Sequence, residues 1–115
     1  MEENKKTILV PWDFTPIAEF ALLHALKIAD TFNNDITLLN IVKKQKEVDE
    51  VLVKLNQVAD DTMKKYNIKP RVLAVVGSIF TTISEVASEI NSNLVIMGTH
   101  GITGMQKLTG SWALK

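Results

Sequence analysis

Two short segments concentrate the residues that could do chemistry. Pro11-Trp12-Asp13-Phe14-Thr15 sets one carboxylate just after an apolar run, and Gly98-Thr99-His100-Gly101-Ile102-Thr103-Gly104, followed by Gly110-Ser111, is rich in glycine. A backbone without Cβ can approach phosphate oxygens closely and present successive N–H groups to them. Ser111, at the start of a helix, would add a hydroxyl and a favourable dipole, which makes this an anion-binding layout. Asp13 at a strand end can accept a hydrogen bond from an amine or a ribose hydroxyl. The spacing fits neither the Walker pattern nor the G-x-G-x-x-G fingerprint, so neither a P-loop nucleoside triphosphatase nor a dehydrogenase is indicated. The same glycines also suit structural turns, and Asp13 also suits a solvated loop acid or a helix cap.

Other reactive residue types lack companions. His100 could act as a general base toward water, yet no acidic cluster or second histidine lies near it in sequence, and a loop histidine bonded to backbone is the simpler reading. Ser111, His100 and Asp13 are the residue types of a hydrolase triad, but the G-x-S-x-G elbow is missing. His24 falls outside the apolar stripe of the first helix, where a partly exposed structural role is expected. Lys43, Lys44 and Lys46 could reach phosphates over the crevice but read more simply as a mobile polar loop, and Asp60-Asp61 with Lys64-Lys65 as a solvated helix face with i,i+4 pairs. No catalytic residue and no metal site is assigned.

These segments need elements to hold them. The chain has 115 residues, 46% of them hydrophobic and 23% charged, and no cysteine. That suits one globular domain over residues 1–115 and excludes a thiol nucleophile, a disulfide framework and thiolate zinc. Thirteen basic residues balance thirteen acidic ones, so the basic excess expected of a nucleic-acid binder is absent. No apolar run approaches the ~20 residues of a membrane span, and the N-terminus lacks the order of a signal peptide; a cytoplasmic location without membrane association is expected.

Thr7-Ile8-Leu9-Val10, Ile36-Thr37-Leu38-Leu39-Asn40-Ile41-Val42, Arg71-Val72-Leu73-Ala74-Val75-Val76 and Leu94-Val95-Ile96-Met97 are short, nearly continuous apolar runs, as expected of strands covered on both faces. Between them lie helical stripes. The first opens at Thr15-Pro16 and continues through Ala18, Ala21, Leu22, Ala25, Ile28, Ala29 and Phe32; the second runs from Val48 to Tyr66; the third carries Ile79, Ile83, Val86, Ala87 and Ile90 after Gly77-Ser78, a possible cap. The order β-α-β-α-β-α-β requires parallel strands with right-handed crossovers: a doubly wound open α/β sheet. Ligands in such sheets bind beyond the carboxyl ends of the strands, so adjacent first and fourth strands would put both chemical segments on one crevice.

With Val10-Pro11-Trp12-Asp13-Phe14, Leu38-Leu39-Asn40-Ile41, Val95-Ile96-Met97-Gly98-Thr99-His100-Gly101 and Gly110-Ser111 in place, the whole chain resembles the universal stress proteins. The resemblance implies an adenine-nucleotide alpha-hydrolase-like fold with strand order 3-2-1-4 and the family's fifth strand missing. The chain is then expected to be C-terminally incomplete, or the first half of a tandem protein. It also implies that ATP or a related adenine nucleotide, with Mg2+ or without it, binds after strands one and four. Asp13 and Ile41 would contact adenine, Pro11 and Gly98 would border the ribose beside Met97, and Gly101, Gly110, Ser111 and the Trp112 N–H would meet phosphate. The family's phosphate loop reads G-x2-G-x9-G-S/T; here eight residues, Ile102 to Thr109, separate Gly101 from Gly110. The expected role is a stress-response sensor or regulator, with slow ATP hydrolysis at most, and a homodimer or tandem domain as partner. The alternative is a nucleotide-free interaction or dimerisation module of the same fold.

Overall fold

Strands that are apolar on both faces need cover on both faces; the computed structural model, which describes residues 6–98, buries the two central strands and leaves the two outer ones, expected to be buried as well, half-buried. The strands are β1 (Thr7–Pro11), β2 (Asp35–Val42), β3 (Arg71–Val76) and β4 (Ser92–Val95). They form one parallel sheet in the order β3-β2-β1-β4. The central strand is the most deeply buried: Ile8, Leu9 and Val10 are inaccessible to solvent. Val10 stands opposite Leu38 and Pro11 opposite Leu39.

The fourth strand lies earlier than the expected residues 94–97. It pairs Ser92 with Thr7, shifts register between Thr7 and Ile8, and continues with Leu94 and Val95 opposite Ile8 and Leu9. The Ile96 N–H still donates to the Leu9 carbonyl at 3.0 Å. The next bond of a parallel ladder would need an N–H from residue 11, which is proline, so the pairing ends there and Met97 lies beyond the strand.

Helix α1 spans Pro16–Phe32. Thr15, in extended conformation, accepts from the Ala18 N–H at 3.3 Å, and Pro16 occupies the first turn, where its missing donor costs nothing. Asn33 ends the helix in the left-handed region at φ 57°. Helix α2 spans Val48–Tyr66, with Asp49 and Glu50 in its first turn and Lys64 and Lys65 in its last, the arrangement that opposes the helix dipole. It is preceded by a 3-10 turn over Gln45–Glu47. The basic run, expected in a loop, lies in a turn in which the Glu47 carboxylate accepts from the Lys43 N–H at 3.2 Å and the Lys44 N–H at 2.9 Å.

Helix α3 spans Ile79–Glu89. Ser78 stands at its cap, but the side chain makes no capping bond; the Ser78 carbonyl accepts from the Thr82 N–H at 2.9 Å. The acidic residues on α2 also find partners other than those expected from spacing. Asp60 lies 3.5 Å from Lys69 Nζ, and Asp61 accepts from Gln57 Nε2 at 3.1 Å. Lys69 lies beyond the C-terminus of α2, which the helical period does not register.

The sheet divides two cores. On one face Ile8, Val10, Trp12, Ile36 and Leu38 pack with Ala18, Ala21, Ala25 and Ala29 of α1 and Leu55 of α2. The four alanines let α1 lie close to the sheet. On the other face Leu9 and Leu39 pack with Ile83 and Val86 of α3. The chain leaves β1 over one face toward β2 and returns over the opposite face to β4, so a crevice opens beyond the carboxyl ends of β1 and β4, the switch point of a doubly wound sheet.

Candidate functional site

The residue that follows β1 is anchored to β2 through both its N–H and its carbonyl. The Trp12 N–H donates to the Leu39 carbonyl at 2.7 Å, and the Trp12 carbonyl accepts from Asn40 Nδ2 at 2.7 Å. These two bonds tie the first residue beyond β1 to the carboxyl end of β2. Phe14 then takes φ 63°, a left-handed conformation that is costly for an aromatic residue. It turns the chain sharply into α1, and its ring meets the Trp12 ring edge to face at a centroid distance of 6.2 Å.

This turn fixes Asp13. Its Oδ1 accepts from the Thr15 N–H at 3.2 Å and also from the Thr15 hydroxyl. Thr15 therefore both holds the carboxylate and caps α1, while Asp13 stays exposed. Oδ2 has no hydrogen bond among the described residues, and is the atom free to accept from a ligand.

Around Asp13 lies a cavity of about 100 Å³ at the carboxyl ends of the sheet. Pro11, Asp13, Ile41, Met97 and Gly98, expected at the site from sequence, all line it. They come from three separate stretches of chain, and the order β2-β1-β4 is what brings them together. Gly101, Gly110, Ser111 and Trp112, and with them His100 and Gly104, lie outside the described residues.

Further lining residues come from elements the sequence reading assigned elsewhere. Ile17 and Ala18 enter from the first turn of α1, Asn40 from β2, and Ile79 from the start of α3. Ile79 was expected on the core stripe of α3, yet it is 42% exposed, because the helix begins at the rim of the sheet rather than beneath it. Asn40, a polar residue within the apolar stretch 38–42, is the one whose signal was visible in advance.

Asp13 is the sole ionisable side chain among the described lining residues; the remaining walls are mostly apolar. Trp12 is buried, and its Nε1–H has no partner among the described residues. Gly98 is required by close packing: a Cβ there would stand 2.1 Å from Ile17 Cγ2 and 3.2 Å from the Ile17 carbonyl carbon. No group of three or more histidine or acidic side chains that could hold a metal ion occurs among the described residues. No described helix is long and apolar enough to cross a membrane.

The chain matches the model of the universal stress protein family over residues 5–114. Among solved structures it is similar to a protein of that family from Burkholderia pseudomallei, with 22% identity, 91% of this chain and 89% of that one covered, and a TM-score of 0.66. A universal stress protein in complex with cAMP is 19% identical over 94% of this chain and 82% of that one, with a TM-score of 0.70. Universal stress protein UspA from Lactobacillus plantarum is 23% identical over 84% and 81%, with a TM-score of 0.58. At these identities the likeness is one of fold. No curated protein matches the sequence.

Proposed function

This chain belongs to the universal stress protein family, and from that premise we propose that it binds ATP or a related adenine nucleotide in the crevice beyond β1 and β4. It then acts in the cytoplasm as a stress-response regulator whose state or partner changes with the ligand. The observation that carries this reading is the setting of Asp13, a carboxylate with one oxygen free, standing alone among apolar walls. A flat heteroaromatic base bearing an exocyclic amine suits such a site, with Ile41 and Met97 along the ring and Asp13 on the amine. Pro11 and Gly98 border the place of the ribose. The universal stress protein solved in complex with cAMP supports an adenine nucleotide as the ligand class.

Phosphate contacts fall to Gly101, Gly110, Ser111 and Trp112, with Mg2+ as a companion of the phosphates if it is bound. Hydrolysis is expected to be slow, because Asp13 is the single titratable group among the described lining residues and its Oδ1 is engaged by Thr15. A homodimer or a tandem second domain is the partner that family resemblance implies.

A second reading is favoured by one feature, the eight residues between Gly101 and Gly110, one fewer than the family's phosphate loop. In that reading the fold serves docking or dimerisation without nucleotide. Calorimetric titration of ATP with Mg2+, ADP and cAMP into nucleotide-stripped protein separates the two. Saturable binding that is lost in Asp13→Ala and Gly101→Val supports the nucleotide site. Absence of heat with all three ligands would leave the interaction module as the account of the fold.

A further inference from the structure

Asn40 brings more to the crevice than the hydrogen bond it donates. Its Nδ2 donates to the Trp12 carbonyl at 2.7 Å. An amide oxygen in that place would set two acceptors against each other, so the carbonyl fixes which way the amide faces. That carbonyl belongs to the peptide joining Trp12 to Asp13. The amide and the carboxylate are thus fastened at one planar unit, with little freedom between them. Asn40 Oδ1, like Asp13 Oδ2, makes no hydrogen bond among the described residues, and both residues line the same cavity of about 100 Å³.

Two unpaired side-chain oxygens in so small a space set a requirement on the ligand. Of the other described lining residues, Trp12 alone carries a side-chain donor, and that indole N–H is buried. An acceptor shut off from water by a bound molecule, and left without a partner, costs free energy. A ligand that satisfies both oxygens must bring two hydrogens close together, and a primary exocyclic amine does so from a single nitrogen. A secondary amine would satisfy one oxygen and press its substituent against the other.

We propose that Asn40 is a specificity-determining residue of the crevice: its Oδ1 accepts the second hydrogen of a primary amine whose first hydrogen goes to Asp13 Oδ2, so the site selects an unsubstituted amine. The inference rests on the adenine-nucleotide reading and adds to it a residue and a selectivity. The test is calorimetric titration of ATP, and of ATP methylated on its exocyclic amine, into nucleotide-stripped wild type, Asn40→Ala and Asn40→Asp. Wild type should bind the methylated ligand about tenfold or more weakly than ATP. Asn40→Ala removes the oxygen and opens room for the methyl group, so it should bind the two within about threefold of each other. Asn40→Asp keeps an oxygen in place and should keep the preference. A residue that only fastened the Trp12 carbonyl would, when replaced, weaken both ligands alike and leave their ratio unchanged. Circular dichroism checks that the variants fold, and the wild-type comparison needs no variant. Equal binding of the two ligands by wild type, or a wild-type ratio retained in Asn40→Ala, would overturn this role while leaving the nucleotide site in place. A wild type that binds neither ligand would overturn both.

Discussion

Asn40 Nδ2 donates to the main-chain carbonyl of Trp12 at 2.7 Å, and this bond joins the carboxyl end of β2 to the turn that carries Asp13. The two residues are 28 positions apart. A side-chain amide within the apolar stretch 38–42 of that strand thereby becomes the fastener of the crevice. Asn40→Leu should destabilise the protein by about 1–3 kcal/mol, since the Trp12 carbonyl loses its side-chain donor in a partly buried place. Asn40→Asp should cost more at neutral pH, where two acceptors would face each other. Urea denaturation of the three proteins checks the order, and equal midpoints would show that the bond contributes nothing.

Gly98 and Ile17 form a second contact on which the crevice depends. With a Cβ 2.1 Å from Ile17 Cγ2, Gly98→Ala should cost about 1–3 kcal/mol through overpacking. Ile17→Ala removes the offending methyl, so the double variant should be more stable than the sum of the two single effects. A double-mutant cycle from chemical denaturation reads this directly, and strict additivity would mean that the clash is relieved elsewhere.

Thr15 serves α1 and Asp13 at once. Thr15→Ala should lose about 1 kcal/mol from the missing helix cap and, by releasing Oδ1 of Asp13, should also weaken adenine-nucleotide binding. Thr15→Ser keeps the hydroxyl and should retain most of both. Thermal unfolding and calorimetric titration report the two effects separately; loss of stability without loss of affinity would show that Asp13 needs no fastening.

Phe14 holds a left-handed conformation at φ 63°. Phe14→Ala should be destabilising, because the backbone cost stays while the edge contact with Trp12 is lost. Phe14→Gly loses the same contact but is at ease at that φ, so it should be more stable than the alanine variant by about 1 kcal/mol. An alanine variant as stable as the glycine one would show that the turn relaxes when the ring is removed.

The sequence by itself determined the elements whose causes are local. Thr15-Pro16 opened α1 at its observed start, the stripe from Val48 to Tyr66 coincided with α2, and the run from Arg71 to Val76 coincided with β3. Capping groups, proline geometry and a 3.6-residue period act within a few residues of each other, so they can be read along the chain. Of the nine residues that the family resemblance placed at the site, Pro11, Asp13, Ile41, Met97 and Gly98 line one cavity, a finding about their position and not about a ligand.

Tertiary structure alone decided what depends on approach between distant segments. The bounds of β4 follow from where β1 can pair and from the missing N–H of Pro11; Asp60 turns to Lys69 rather than along its own helix; Ile79 faces the crevice because of where α3 meets the sheet. The left-handed Phe14 and the bond from Asn40 to Trp12 exist because β1, β2 and α1 must meet at one corner. Such contacts join residues tens of positions apart, and no local period or cap encodes which of them will touch.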